Sequence, residues 1–386
     1  MTQIAMLLSN PFRPDPRVLK EATSLTSLGH QVTILCWDRA AELPEREVIP
    51  SGVQVIRIQN VRSTYGIGAA QLRHLPVFWK AIMPHLDRIR PHIVHCHDFD
   101  TLPAGLFWGR RHRIPVIYDA HEYYAELVRP RLHGVMGKIL FRFILHAEMF
   151  GAKRASAILT VDETLGDIYR SLNPRVLIVG HYPSKNLVPQ PAAVFQHEQL
   201  SLLYMGRLSV DRGILTYVDI LRALIHSRIP AQLHLAGVFT PASEKTFFDQ
   251  RAIGLEEFIH IHGWVQYNKV PDLMTGADLG MVILQPEPRY VAALPVKLFE
   301  YMAAGLPVIA SDFPPIAKLI GEAQCGLLVD PKSDPTDIAK LIIELWQDKP
   351  LAQRLGQNGH QAVIQKYNWE NLTIQLEGLY SSLIEK

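Results

Sequence analysis

Short apolar runs alternate with amphipathic stretches along the whole chain. In the first half, the runs predict strands at Ile4–Leu8, Val32–Cys36, Ile93–His97, Val116–Tyr118 and Ala157–Val161. Between the first two, Val18–Leu28 predicts a helix with one apolar face, which ends at Gly29. Strands that alternate with helices in this way are typical of βα units that build a parallel sheet.

The same alternation begins again near Ser201. It predicts further strands at Ser201–Met205, Gln232–Ala236, Ile259–His262, Leu279–Leu284 and Pro307–Ser311. Thr240 and Pro241 predict the N-cap and first residue of a helix that ends at Gly254. The pattern therefore predicts two Rossmann-like α/β domains, whose ligands would lie at the carboxyl ends of the strands.

A polar stretch separates the two halves. Residues 182–199 contain three prolines and show no period, which is typical of a linker. We predict an N-terminal domain at 1–185, a linker at 186–199, a C-terminal domain at 200–366 and a final amphipathic helix at 367–386.

Composition and net charge favour an ordinary globular protein over several other classes. The 386 residues carry a net charge of +2, and 48% are hydrophobic and 20% charged, as in ordinary globular proteins. So small a net charge argues against a nucleic-acid binder, which needs an excess of Lys and Arg. Three distant cysteines, and apolar runs too short to span a bilayer, favour a cytoplasmic protein.

Two stretches carry chemistry suited to an anion. In residues 294–312 a loop leads into a helix that begins near Lys297, and helix N-termini attract phosphate. Glu300, one turn further, can accept two hydrogen bonds from a ribose diol. In residues 205–213, Arg207 and Arg212 offer guanidinium groups suited to phosphate oxygens. A solvated Lys/Glu pair on an exposed helix is the less favoured explanation of the first stretch, whereas two solvated surface arginines explain the second equally well.

A histidine-rich strand end suggests a metal site. His95 and His97 share one face of their strand, and Asp98 and His121 could complete a ligand set. The simpler interpretation, which we favour, is that one histidine packs at the strand end and the other contacts substrate, with no metal.

Taken in order, these motifs resemble the family 4 glycosyltransferases. They are residues 15–18, 28–32, 95–98, 118–122, 205–213, 236–237, 262–265, 270–273, 277–278 and 294–312. The resemblance covers nearly the whole chain, and Leu-Pro-x-Lys-Leu-Phe-Glu-Tyr at 294–301 resembles one branch of the family. It implies a GT-B fold, with two Rossmann-like domains facing each other across a cleft and the C-terminal helix packing back on the N-terminal domain.

The resemblance also implies an activity. Members transfer a sugar from a nucleotide-sugar donor to a hydroxyl acceptor with retention of configuration, and need no metal and no other cofactor. The implied catalytic residues are His121, Arg207 and Lys297. The implied donor-binding residues are Arg207, Arg212, Trp264, Val265, Val296, Lys297 and Glu300. The implied acceptor-side residues are Arg17, His97 and Asp98.

Two departures from the family pattern affect the donor site. The first glutamate of the Glu-x7-Glu motif is Ala292 here, which removes a contact to the donor sugar. The glycine of the same loop is Pro295, which removes an N–H donor that Lys297 can replace with its ammonium. Since a related branch carries the same loop, we interpret Ala292 as branch variation.

The partner on the acceptor side is less defined. Arg129, Arg131, Lys138 and Arg142 accompany Phe141 and Phe143, and such basic and aromatic residues can rest on anionic lipid. This suits a lipid-linked or polysaccharide-precursor acceptor at the inner face of a membrane, although a packed helix with solvated charges explains the pattern slightly better. A nucleotide-sugar epimerase and a non-catalytic nucleotide-sugar-binding protein remain alternatives.

Overall fold

The computed structural model describes residues 1–13, 15–63, 73–129, 132–185, 188, 191, 195, 198–266 and 269–384. Two compact units make up the chain. The first contains Met1–His181 together with Leu372–Lys386, and the second contains Tyr182–Asn371. Most of the predicted linker, 186–199, lies outside the described residues, as does Arg131.

The first unit is built on an eight-stranded sheet. Its strands are β1 (Gln3–Leu8), β2 (Gln31–Trp37), β3 (Arg46–Val48), β4 (Gln54–Ile58), β5 (Ile93–His97), β6 (Val116–Ala120), β7 (Ala157–Thr160) and β8 (Val176–Ile178). The order is β3-β4-β2-β1-β5-β6-β7-β8, and every pair is parallel except β3–β4. The central strands are buried along their length, as expected for a parallel sheet covered on both faces.

Helices flank this sheet. They are α1 (Pro16–Ser27), α2 (Leu75–Ile89), α3 (Leu102–His112), α4 (Tyr124–Val128), α5 (Gly134–Arg154) and α6 (Glu163–Arg170). The Asp15 side chain caps α1 by accepting bonds from the Arg17 and Val18 amides, and Pro16 begins the helix. This cap fixes the start of α1, and with it the position of the Arg17 side chain in the first turn.

The second unit has a six-stranded, all-parallel sheet. Its strands are β9 (Leu200–Met205), β10 (Ala231–Ala236), β11 (Ile259–Gly263), β12 (Leu279–Val282), β13 (Val308–Ser311) and β14 (Gly326–Val329), in the order β11-β10-β9-β12-β13-β14. The helices are α7 (Ile214–His226), α8 (Glu244–Ala252), α9 (Val270–Thr275), α10 (Pro288–Val291), α11 (Val296–Ala303), α12 (Pro314–Ala323), α13 (Pro335–Gln347) and α14 (Lys349–Gln365).

The last helix links the two units. Helix α15 (Trp369–Ile384) begins in the second unit, and its part from Leu372 onward belongs to the first. The Tyr380 hydroxyl lies 2.6 Å from Nδ1 of His95 on β5, and both side chains are fully buried. The C-terminal helix therefore packs on the N-terminal sheet, as the resemblance implied.

One predicted helix begins later than expected. Thr240 and Pro241 do not open α8, which begins at Glu244. The amides of Glu244, Lys245 and Thr246 each bond to the carbonyl three residues earlier. These i→i+3 bonds form tight turns before the first α-helical turn, so the prediction that Pro241 is the first residue of the helix was wrong.

Membrane-spanning segments are not found in the part of the chain that the structure describes. No helix there is both long enough and apolar enough to cross a bilayer.

Candidate functional site

Two glycines bring the ends of β9 and β10 close together in the second unit. A Cβ on Gly237 would lie only 1.7 Å from the Gly206 carbonyl oxygen, and Gly206 has a φ of +133°. The Gly206 amide donates to the Ala236 carbonyl at 2.8 Å. Only glycine fits at both positions, so backbone is exposed at the carboxyl end of the sheet, where a ligand can approach closely.

A buried lysine, Lys297, lies beside these glycines. It follows Val296 in the first turn of α11, is only 7% exposed, and its Nζ makes no hydrogen bond within the described residues. The ammonium lies 3.8 Å from the centre of the Tyr204 ring. Burial and the Arg212 charge hold the pKa of Lys297 well below its ordinary value. A bound anion would compensate this charge.

The two predicted arginines, Arg207 and Arg212, both contact the hydroxyl group of Tyr290. Arg207 Nη2 lies 2.8 Å from an Asp211 carboxylate oxygen and 3.2 Å from the Tyr290 hydroxyl. Arg212 Nε donates to the same hydroxyl at 3.3 Å, and that hydroxyl donates to Asp211 at 2.9 Å. Arg207 Nε is buried and has no partner among the described residues. Two guanidinium groups are thus held beside Lys297.

A cavity of about 400 Å³ opens next to this group. Its lining includes Gly206, Arg207, Trp264, Val265 and Glu300. Trp264 is 75% exposed, so its ring is available to stack on a flat ligand. Four of the seven predicted donor-binding residues, Arg207, Trp264, Val265 and Glu300, therefore line one cavity of the second unit, and Arg212 and Lys297 lie next to it.

The helix N-terminus contributes less than the sequence suggested. Pro295 is the N-cap of α11 and has no N–H, and the Leu298 amide already donates to the Pro295 carbonyl. The Val296 side chain is exposed. The positive charge at this end of the sheet therefore comes mainly from the Lys297 side chain and the arginines.

The first unit has a second polar centre, built around Asp119 at the end of β6. Asp119 is fully buried, and its Oδ2 lies 2.9 Å from His121 Nε2 and 2.9 Å from His97 Nδ1. Burial alone would lower the pKa of His121, but the Asp119 carboxylate raises it to about 9. His121 is therefore protonated at neutral pH and partly exposed, a cationic donor that can reach a ligand.

Two of the predicted acceptor-side residues lie beneath this surface. Arg17 is 4% exposed and donates to Glu21 at 2.9 Å and to Asp119 at 2.5 Å. His97 is 2% exposed, and burial together with the neighbouring His95 lowers its pKa to about 3. Both side chains contact Asp119 and are shielded from solvent.

Asp98 is the acceptor-side residue that remains partly exposed. It adopts a left-handed backbone conformation with a φ of +60°, which is uncommon outside glycine. Burial raises the pKa of its carboxyl group. Of the three residues predicted for the acceptor side, Asp98 is the one whose side chain is not fully buried.

The described part of the first unit also contains a group of side chains that could together hold a metal ion. Glu21, His95, His97 and Asp119 each place one ligand atom within 4.8 Å of the others. This set differs from the one suggested by the sequence, since it contains neither Asp98 nor His121. The Arg17 guanidinium already bonds both carboxylates, so a cation occupies the place that a metal would need.

Both halves of the chain match glycosyltransferase families. Residues 190–362 match the family described as "Glycosyl transferases group 1", and residues 14–179 match the "Glycosyl transferase 4-like domain". The chain is a family 4 glycosyltransferase. Family membership favours glycosyl transfer over the epimerase and non-catalytic alternatives.

Relatives of this glycosyltransferase are distant but similar along their length. An uncharacterized glycosyltransferase of Methanocaldococcus jannaschii is 23% identical, over 94% of this chain and 93% of the relative. A GDP-mannose-dependent alpha-(1-6)-phosphatidylinositol dimannoside mannosyltransferase of Mycobacterium tuberculosis is 27% identical, over 78% and 76%. The structure of sucrose-phosphate synthase from Thermosynechococcus elongatus aligns with a TM-score of 0.77 and 19% identity over 99% of both chains, which confirms the GT-B fold.

Three residues of the glycosyltransferase site were missed by the sequence reasoning. Asp211 accepts bonds from Ser209, Arg207 and Arg289, so it is the anionic anchor of the cluster. Tyr290 lies two residues before Ala292, where the family pattern carries no signal. Asp119 lies inside the motif at 118–122, but only the structure shows that its carboxylate contacts Arg17, His97 and His121.

Proposed function

We propose that this enzyme transfers a sugar from a nucleotide-sugar donor to a hydroxyl acceptor with retention of configuration, and that the second unit binds the donor. One observation carries the proposal: the buried Lys297 ammonium and the buried Arg207 Nε have no hydrogen-bond partner within the described residues. A buried polar N–H group without a hydrogen-bond partner is costly, and a diphosphate supplies anionic oxygens to both groups.

The same cations explain how the reaction is accelerated. As the bond between sugar and phosphate breaks, negative charge grows on the leaving diphosphate. The buried Lys297 and the partly exposed Arg207 and Arg212 are held side by side, where they can stabilise that charge. The departing phosphate oxygen can take the proton of the acceptor hydroxyl on the same face of the sugar, so no protein nucleophile is needed.

The remaining donor groups have proposed partners of suitable chemistry. Glu300 accepts hydrogen bonds from the ribose hydroxyls, and Trp264 and Val265 pack on the base. His121, protonated through Asp119, donates to the transferred sugar and positions it. Because side-chain cations supply the positive charge at the diphosphate, we propose that transfer needs no divalent metal.

A panel of nucleotide sugars tests the donor proposal. Release of nucleoside diphosphate from one donor, dependent on an added acceptor, is expected. Arg207→Ala and Glu300→Ala should each lower donor affinity at least tenfold, since hydrogen bonds to charged groups contribute about 1.5–3 kcal/mol. Arg354→Ala removes an exposed cation elsewhere in the unit and should change nothing. Unchanged donor affinity in both site variants would show that the donor binds elsewhere.

We further propose that the first unit associates with an anionic membrane and that the acceptor is lipid-linked. Helix α5 buries one face, which contains Ile144 and Glu148, and exposes an apolar stripe. The exposed stripe comprises Val135, Met136, Ile139, Phe143 and Phe150, each at least 57% exposed. Lys138, Arg142, Lys153 and Arg154 lie on the same helix, exposed. A helix with a single apolar face would bury that face against the protein and present its polar face to solvent.

A groove beside this stripe supports the same proposal. It has a volume of about 1100 Å³ and is lined mostly by apolar side chains, including Leu106, Phe107 and Phe150. Four arginines also line it: Arg110, Arg111, Arg113 and Arg154. An apolar floor with a cationic rim complements an anionic lipid surface.

Vesicle co-sedimentation tests the membrane proposal. The chain should bind vesicles containing phosphatidylglycerol and should not bind pure phosphatidylcholine. Phe143→Ser combined with Phe150→Ser should weaken binding, whereas Ile374→Ser removes an equally exposed side chain on another helix and should not. Equal binding by the double variant and the control would contradict a docking role for α5.

A further inference from the structure

Helix α4 begins without a side-chain cap of its own. Its N-cap residue, Tyr123, makes no side-chain hydrogen bond to the first turn, and the Glu126 amide donates to the Tyr123 carbonyl at 3.0 Å. The amides of Tyr124 and Ala125 therefore need an acceptor from elsewhere in the fold. Glu148 on helix α5 supplies it, since its carboxylate oxygens lie 3.1 Å from the Tyr124 nitrogen and 2.9 Å from the Ala125 nitrogen.

The same carboxylate also accepts hydrogen bonds from two tyrosine hydroxyls. Tyr118, on β6, and Tyr169, on α6, each donate to Glu148 Oε1 at 2.9 Å. All three side chains are fully buried. A buried carboxylate is tolerated where hydrogen bonds replace the water that it has lost. Among the described residues, four donors do so here.

These bonds enclose the loop that carries His121. Three residues, 121–123, separate the end of β6 from the start of α4. Glu148 contacts the strand through Tyr118 and the helix through its first two amides. The His121 ring lies 2.9 Å from Asp119, and this contact depends on where the loop is placed. Glu148 therefore holds both ends of the segment that presents His121.

Helix α5 has two different faces. Glu148 lies on its buried face, roughly opposite the exposed Val135, Ile139 and Phe143 at 3.6 residues per turn. One helix thus carries the proposed membrane surface on one side and the anchor of the His121 loop on the other.

We infer that Glu148 is a positioning residue for glycosyl transfer, and that it holds loop 121–123 so that His121 can contact the donor sugar. The inference rests on the role of His121 in the proposed function. Glu148 is buried and acts through the amides of Tyr124 and Ala125, without touching a substrate itself. Misplacement of a positioning group by about 1 Å can lower a rate roughly 100-fold, so loss of this anchor should appear in kcat.

Steady-state kinetics of Glu148→Gln test this inference. The glutamine is nearly isosteric, but its NH2 group cannot accept a hydrogen bond, so one of the two α4 amides loses its acceptor. We expect kcat to fall about 10- to 100-fold while the affinity for nucleoside diphosphate, whose proposed site lies in the second unit, stays unchanged. Glu148→Asp keeps the charge but withdraws it by one methylene group, and should lower kcat in the same way.

Asn173→Ala is the matched control for a loss of stability alone. Asn173 is buried, and its side-chain amide donates to the carbonyls of Ala152 and Ala155 at the C-terminal end of α5. This variant should lower the free energy of unfolding without changing kcat. Amide hydrogen exchange is a readout that does not depend on activity: the α4 amides should exchange faster in Glu148→Gln but not in Asn173→Ala.

Three results would overturn the inference. Unchanged kcat in both Glu148 variants, with activity lost in His121→Ala, would remove the role of Glu148 and leave the proposed function intact. Unchanged exchange of the α4 amides in Glu148→Gln would show that the carboxylate does not hold the loop. Full activity in His121→Ala would instead contradict the role of His121 in the proposed function, and the inference with it.

Discussion

The Tyr290 hydroxyl is the atom on which the geometry of both arginines depends. It lies 3.2 Å from Arg207 and 3.3 Å from Arg212, and it donates to Asp211. Tyr290→Phe removes these bonds and keeps the ring. At roughly 1 kcal/mol per bond, we expect donor affinity to fall about 5- to 30-fold. Titration with a nucleoside diphosphate measures this, and Tyr123→Phe, in the first unit, is the control.

A second residue-scale prediction concerns pH. Asp119 raises the pKa of His121 from 6.5 to about 9, so the protonated donor is present below that pH and lost above it. The stability that this pair contributes is likewise complete below 6.5 and lost as the pH rises through 9. We expect kcat/KM to fall on the alkaline side near pH 9.

Two variants test whether the His121–Asp119 pair causes the fall of kcat/KM at alkaline pH. Asp119→Asn removes the charge that raises the His121 pKa, so the alkaline limb should move to lower pH. Asp167→Asn changes an exposed carboxylate of the same unit and should leave the profile unchanged. A limb that stays in place in Asp119→Asn would show that another group titrates there.

At the scale of elements, a buried hydrogen bond joins α15 to β5. The Tyr380 hydroxyl and His95 Nδ1 are 2.6 Å apart, with no exposed surface on either side chain. Tyr380→Phe leaves a buried ring nitrogen unpaired, which should lower the free energy of unfolding by about 1–3 kcal/mol. Denaturant titration checks this against Ser382→Ala on the same helix, and an unchanged midpoint would contradict the role given to Tyr380.

The sequence predicts some elements far better than others. The strands of the parallel sheets are mostly apolar, and β5 is predicted to the residue at Ile93–His97 although it contains two histidines. Strand β3 is three residues long and carries Arg46 and Glu47, so no apolar run reveals it. Pro241 satisfies the local rule for a helix start, but turn hydrogen bonds before Glu244 override it.

The site divides in the same way between local and tertiary information. Motif order identifies Arg207, Lys297 and Glu300, because each stands at a recognisable position relative to a strand or helix end. It gives no indication that Arg17 and His97 are buried, since both depend on α1 and β5 packing around Asp119. The roles of Tyr290 and Tyr380 cannot be predicted from the sequence either, because their hydrogen-bond partners are distant along the chain.

At the scale of the whole molecule, the GT-B fold follows from two runs of βα units and a C-terminal helix that returns to the first sheet. The net charge of +2 conceals local concentrations of cations. One lies around Lys297, where we propose that a diphosphate binds, and another along α5, where we propose an anionic membrane surface.

The most direct test of the donor site compares a nucleoside diphosphate with its nucleoside. Calorimetric titration of the unchanged chain with UDP and GDP, and with uridine and guanosine, isolates the contribution of the diphosphate. We predict that one diphosphate binds at least 100-fold tighter than its nucleoside, and that Lys297→Met removes most of this difference while nucleoside affinity is unchanged. Equal affinity for diphosphate and nucleoside, or a difference that survives in Lys297→Met, would contradict the assignment of the buried cations to the donor diphosphate.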